Sequence, residues 1–190
     1  SVQGASHQLA AWAGVPYEEL KWNCAGVNHL AWFTEFSHRG RDLYPALRRR
    51  VQAEKGFDEK DKVRLDLMMH FGYYCTESSG HDSEYLPYYR KRADLIKTYC
   101  RAGYRGESRF YASNWPAWRQ ANDQRRRDLV SGAADIPLRR SWEYAGFIIE
   151  AMETHAPFVI YGTMPNRNLI TNLPQDGVVE VACLVNRNGI

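Results

Sequence analysis

VVEVACLV, residues 178–185, is an apolar run rich in β-branched side chains and reads as a buried strand. FVIY, residues 158–161, has the same character, and the segment from Gly162 to Gly177 joins the two. A further strand, rich in apolar and aromatic residues, is expected from Val27 to Phe36. Elsewhere the signals are helical. Gln8 to Ala13 ends a helix stopped by Gly14, and Pro16 opens another turn with Glu18 and Glu19 near its positive end. Asp42 can cap a helix running through Arg50, and Val63, Leu67, Met68 and Phe71 recur at helical spacing before Gly72. Pro87 to Arg140 is polar and mostly helical, with interruptions expected at Gly103, Gly106 and Pro116. Ser141 can cap a helix whose stripe is Trp142, Ala145, Ile148, Ile149 and Met152, closed by Pro157. Strands and helices together give an α+β fold.

A chain of 190 residues that is 44% hydrophobic and has no low-complexity run can bury one core, so residues 1–190 are expected to form a single domain. The formal charge is only +3, and the arginine clusters around Arg48 to Arg50 and Arg125 to Arg127 sit beside Glu54, Asp123 and Asp128. That interleaving describes solvated helix faces and argues against a nucleic-acid partner. No apolar run approaches the ~20 residues of a membrane span, and no leader-like segment opens the chain. The four cysteines, Cys24, Cys75, Cys100 and Cys183, form no CxxC pair, so reduced thiols and a cytoplasmic protein are expected. Both ends read as cuts in a longer protein. The aromatic share of 13% lies largely in polar surroundings, which suits a carbohydrate cleft or a Tyr-rich interface.

Chemistry concentrates in two stretches, TESSGHDSEYLPYY (Thr76 to Tyr89) and CAGVNHLAWF (Cys24 to Phe33). The first reads as a loop in which Glu77 and His81 flank Ser78, Ser79 and Gly80, and such groups pair well with vicinal hydroxyls. Loop capping is the plain alternative for both. Gly80 would let a ligand approach the backbone beside His81. Glu77, Asp82 and Glu84 would also serve a two-carboxylate glycosidase if a pair stood ~5 to ~9.5 Å apart. His29 alone, within a strand, would be a structural histidine.

Together these stretches resemble the NAD- and metal-dependent family 4 glycoside hydrolases, in particular their α-galactosidase branch. The resemblance extends from Ser1-Val2-Gln3-Gly4 to the closing VNRNGI and includes Asn172-Leu173-Pro174 before the last strand. It implies an α+β domain like the C-terminal part of lactate dehydrogenase-like and family 4 proteins, packed in its parent on an N-terminal Rossmann domain. No G-x-G-x-x-G follows any expected strand, so that nucleotide domain is absent here. Gly26-Val27-Asn28-His29 reproduces the family motif whose histidine binds a divalent metal, usually manganese. His29 is thereby the metal ligand and Asn28 a candidate for holding a sugar hydroxyl. The family takes its second ligand from the cysteine of a Cys-His pair immediately before Ser-Val-Gln-Gly, so that ligand is expected to lie outside this chain, and Cys24 is assigned to packing. With His29 as the one ligand, weak metal binding is expected.

Tyr85 matches the family's catalytic tyrosine, with Tyr88 and Tyr89 in reserve. A phenol with a pKa of ~10 becomes a usable base near a divalent cation. The mechanism implied is oxidation of the sugar at C3 by NAD⁺, removal of the C2 proton by Tyr85, elimination of the leaving group, addition of water and return of the hydride. Glu77, His81 and Asn28 would bind substrate. The expected partners are a small-molecule glycoside and, in the full-length parent, further copies of the protein. An α-glucoside or α-glucuronide in place of the α-galactoside, or a non-catalytic carbohydrate- or protein-binding domain, are the alternatives.

Overall fold

A computed structural model describes residues 2–190; Ser1, the first residue of the motif noted above, lies outside them. The described residues form seven α-helices and one five-stranded sheet, an α+β fold as expected. In chain order the elements are α1 (Val2–Ala13), β1 (Leu20–Val27), β2 (Leu30–His38), β3 (Arg41–Asp42), α2 (Tyr44–Ala53), α3 (Lys62–Phe71) and α4 (Ser79–Tyr85). They continue with α5 (Ala93–Tyr99), α6 (Phe110–Ser131), α7 (Tyr144–Thr154), β4 (Phe158–Pro165) and β5 (Val178–Val185). The strand order is β3-β2-β1-β5-β4, and every pairing is antiparallel.

The expected strand from Val27 to Phe36 is in fact two strands. β1 ends at Val27, Asn28 and His29 form the turn, and β2 begins at Leu30. Gly26 makes this hairpin possible, because a Cβ there would stand 2.7 Å from the Ala31 Cα. His29 is therefore presented at a sheet end instead of lying within a strand. Three helix boundaries also differ. Asp42 belongs to β3 but still accepts the Tyr44 N–H at 2.9 Å, and the helix runs on to Ala53. Pro116 lies inside α6 without ending it, since this helix buries no side chain and water can satisfy the freed carbonyl. α7 begins at Tyr144, and its inward residues are Tyr144, Ile148 and Ala151, leaving Trp142, Ile149 and Met152 exposed. Gly162 sits within β4, which extends past Tyr161 to Pro165.

The main core packs Leu9 of α1, Cys24 of β1, Phe33 and Phe36 of β2, Leu47 of α2 and Met68 of α3 around Tyr74. Cys24 is thus packing, as expected, and burial raises its thiol pKa. A second cluster holds Ala151 against Ile160 and Val185, with Val181 partly buried beside them. All four cysteines are unpaired. The connection from β4 to β5 is pinned by buried Asn166, whose amide donates to the carbonyls of Ile170, Leu173 and Pro174 and whose Oδ1 accepts the Ile170 N–H.

A buried polar network crosses the main core. Asp61 accepts from Arg64 Nε at 2.7 Å, from the Tyr74 hydroxyl at 2.5 Å and from the Ser79 hydroxyl. Arg64 also donates to Gln8 at 2.5 Å and lies 4.6 Å from the Tyr74 ring centroid. Ser79 Oγ accepts the Val63 and Arg64 N–H groups, so the first turn of α4 caps the first turn of α3. Beside this network Asp82 is fully buried, with Oδ1 accepting from the Cys75 thiol and Oδ2 without a partner.

Removing one member of a buried ion pair strands the other charge, at about 3 to 5 kcal/mol. Asp61→Ala is therefore expected to lower unfolding free energy by that order in urea titration, and Asp61→Asn by less. Asp82 carries a separate pH signature. Burial, reinforced by Asp61 and Glu77, pushes its pKa up to about 8 against the opposing pull of Arg64 and the Cys75 hydrogen bond. The unfolded chain releases this proton near pH ~4, whereas the folded chain holds it until about 8. The folded state therefore binds more protons between these values, and stability falls as pH rises through that window. Asp82→Asn cannot ionise, so its stability relative to the native chain should grow from pH ~4 to pH ~8 by at least ~1 kcal/mol, read from urea unfolding across the range.

Candidate active site

Ser78 to Tyr85, expected as loop, is a helix with its cap. The Ser78 hydroxyl accepts the His81 N–H at 3.3 Å, and the helix follows from Ser79. Ser, Gly and Asp are weak helix formers, so tertiary satisfaction overrides propensity: Ser79 and Asp82 point into the buried network, and the Ser83 hydroxyl donates to the Gly80 carbonyl. With those residues inward, Glu77, His81 and Tyr85 fall on the opposite face at intervals of four. Gly80 lets backbone approach closely, and what approaches its Cα is the Tyr104 carbonyl.

The hairpin turn meets this helix face. His29 Nδ1 is 2.8 Å from Glu77 Oε2, and the His29 ring stacks on that of Tyr85 at 5.5 Å between centroids, 13° from parallel. His81 lies 5.6 Å from His29 and 6.0 Å from Tyr85, ring to ring. Tyr111 of α6 adds its ring in parallel on His81 at 6.1 Å, with its hydroxyl 3.4 Å from His81 Nε2. Four of the five expected site residues, His29, Glu77, His81 and Tyr85, thus form one cluster. Asn28, the fifth, adjoins it through the turn and acts on Glu180 of β5, whose pKa it lowers. The reserve tyrosines lie elsewhere. Tyr88 and Tyr89 line a separate cavity with Phe71 and Tyr99, and the buried Tyr89 hydroxyl donates to Asp66.

Burial alone would raise the pKa of Glu77, but the hydrogen bonds from His29 and the Ser78 N–H outweigh it and hold the pKa at about 2. The carboxylate is thus a fixed negative charge at neutral pH. Glu180 contrasts with it: burial in the sheet raises its pKa, Glu77 adds to the rise, and Asn28 opposes it. Its Oε2 is buried without a hydrogen bond.

One ligand atom from each of His29, Glu77 and His81 can be chosen so that all lie within 4.8 Å of one another, the sole such grouping of three that the described residues offer. His81 Nδ1 is buried without a hydrogen bond, its nearest carboxylate oxygen being Glu77 Oε1 at 3.5 Å. An orphaned imidazole nitrogen facing a carboxylate and a second imidazole is a donor set that suits a divalent transition metal. His29 is the metal ligand expected from the sequence; Glu77 and His81, expected on substrate, each offer a ligand atom within 4.8 Å of it and of one another.

Sequence reading missed Glu180 and Tyr111. An acid within the apolar run VVEVACLV was the available signal for Glu180. Tyr111 offered none, because its place beside His81 depends on how α6 packs. Nothing in Glu84 supports a two-carboxylate arrangement, since it is exposed and faces Arg90 at 3.7 Å.

Comparison with known proteins follows the same lines. The chain is 38% identical over its whole length to an α-galactosidase of Bacillus subtilis (strain 168), of which it spans 43%. It is 35% identical to an α-galactosidase of Rhizobium meliloti (strain 1021), again over its whole length and 40% of that protein. The chain thus spans less than half the length of these relatives. A crystal structure of a putative glucosidase from Bacillus subtilis shares the fold, with a TM-score of 0.74 at 24% identity over 98% of this chain and 46% of that one. So does a 6-phospho-α-glucosidase from gut microorganisms solved in complex with NAD and Mn²⁺, at 0.62 and 17% identity over 97% and 43%. The family model for the family 4 glycosyl hydrolase C-terminal domain matches residues 24–190. With that match covering both the hairpin and the helix of the cluster, the chain belongs to the family 4 glycosyl hydrolases and carries their C-terminal domain.

Proposed function

We propose that this chain is the sugar-handling part of an α-galactosidase whose parent protein cleaves α-galactosides with NAD and a divalent metal, manganese in the first instance. In that parent an N-terminal nucleotide-binding domain would complete the site, and a cytoplasmic setting fits the four unpaired cysteines. The observation that carries the reading is the convergence of His29, Glu77, His81 and Tyr85 from two separate motifs. Whole-length identity to two α-galactosidases favours galactose over other sugars.

When bound, NAD would accept hydride from C3 and the metal would polarise the resulting carbonyl, acidifying the C2 proton. The chain's own groups then have distinct tasks. His29, Glu77 and His81 would hold the metal, with Glu77 already ionised and needing no deprotonation. Tyr85, 55% exposed at the end of α4, would take the proton from C2. Stacking on His29 keeps that ring in one orientation. Asn28 would hold a sugar hydroxyl, and Glu180 would orient the Asn28 amide from the sheet below.

Tyr85→Phe removes only the hydroxyl. In the full-length enzyme it should leave NAD affinity intact and lower kcat by ~10² to ~10⁴, the usual contribution of a general base. Wild-type kcat with an unchanged primary isotope effect at C2 would assign Tyr85 a structural role. The metal assignment has its own readout. Mn²⁺ titrated into the full-length enzyme and followed by electron paramagnetic resonance should bind at least ~10-fold more weakly in Glu77→Gln and in His81→Ala. Unaltered Mn²⁺ affinity in both variants would return these residues to substrate binding alone. Rates of release from α-galactosides, α-glucosides and α-glucuronides by the same enzyme settle the sugar.

A further inference from the structure

Adjoining His81 is a cavity of about 140 Å³, bounded by α4 on one side and on the other by the turn at Gly103–Arg105 and the first turn of α6. It is smaller than the ~300 to ~1,000 Å³ of pockets that take drug-sized ligands, which leaves room for a single ring. Its outer wall is aromatic. Tyr104 is 57% exposed and Tyr111 43%, their rings 5.9 Å apart and backed by Phe110 and Trp118. Aromatic faces carry partial negative charge and attract the polarised C–H face of a pyranose, so an exposed ledge of this kind suits a sugar.

The charges around the cavity are balanced and largely committed. Arg90, Arg109, Glu84 and Glu107 are all among its lining residues, and Arg90 lies 3.7 Å from Glu84. Arg90 donates to the Ser83 hydroxyl at 2.9 Å and to the Gly106 carbonyl at 3.0 Å, while Glu107 accepts the Gly103 N–H at 2.7 Å. That balance favours a neutral ligand over a phosphorylated one. The same bonds fix the ledge to α4, as does the close seat of the Tyr104 carbonyl on Gly80. The ledge is therefore held in register with His81 and Tyr85.

We propose that this cavity is the leaving-group subsite, taking a neutral hexopyranose attached at C1 of the galactoside, with its ring stacked on Tyr104. The proposal rests on the α-galactosidase reading above. Because C1 is bonded to C2, whose proton Tyr85 would remove, the departing sugar must lie beside the catalytic cluster. The cavity meets the cluster at His81.

The test uses the full-length enzyme and two substrates, a galactosyl-α-1,6-glucose disaccharide and methyl α-galactoside, which has no ring to stack. One aromatic contact of about 0.5 to 1.5 kcal/mol corresponds to about 2- to 12-fold. The ratio of kcat/KM for the disaccharide over the methyl galactoside should fall by that factor in Tyr104→Ala, and in Tyr104→Leu should Ala not fold. Tyr104→Phe should restore it. An unchanged ratio in the Ala and Leu variants overturns the subsite, as does an equal fall on both substrates, which would place the galactosyl ring there instead. A disaccharide phosphorylated on the glucose that is cleaved faster than the neutral one overturns the assignment to a neutral sugar. Failure of the wild-type enzyme to cleave either galactoside would overturn the functional reading together with the subsite, whereas cleavage of both with an unaltered variant ratio removes the subsite alone.

Discussion

The ionic contact between Asp61 and Arg64, buried with Tyr74 and Ser79, is the constraint on which the site depends. Charged groups taken out of water are stabilised only when their remaining hydrogen-bonding capacity is satisfied. Here α1 contributes Gln8, α3 contributes Arg64, α4 contributes Ser79, and Tyr74, in the segment between α3 and α4, closes the set. The position of a short helix of poor intrinsic propensity is thereby fixed from within the core. Its opposite face, carrying His81 and Tyr85 with Glu77 just before it, inherits that precision.

Electrostatics divides the acids of this region into different roles. Glu77, held ionised by His29 and the Ser78 N–H, supplies standing negative charge between two imidazoles. Asp82, one turn away and facing the core, is driven the other way by burial. Glu180, below the hairpin turn, is also raised by burial. Adjacent carboxyl groups with opposed tendencies are what a site needs if one group is to bind a cation while others stay out of its way.

The outer half of the chain is organised differently. α6 has no buried side chain, and the aromatic residues at its beginning pack chiefly on one another and on Tyr104. Tyr111 joins that group to His81. The aromatic excess visible in the composition therefore splits into core anchors such as Tyr74 and Phe33 and a solvent-facing group beside the cluster.

By itself the sequence determined the α+β class, the two C-terminal strands, the helix ended by Gly72 and the pair of motifs that hold the cluster, because apolar period, capping residues and helix-ending glycines act locally. It also carried the family, through Gly26-Val27-Asn28-His29 and the stretch around Tyr85. It did not determine that Asn28 and His29 form a turn, since strand-forming residues flank them on both sides and only the pairing of β1 with β2 across Gly26 divides the run. Nor did it reveal the helix at Ser79–Tyr85: the four-residue spacing of Glu77, His81 and Tyr85 was present, yet local propensity points to loop, and the partners that overrule it lie in Asp61, Val63 and Arg64. The nearness of His29 to Glu77, 48 positions apart, was decided by the tertiary structure alone, as was the His29 hydrogen bond that helps separate the behaviour of Glu77 from that of Glu180, since burial raises both. Distances and desolvation between remote segments are properties of packing, and no local pattern encodes them.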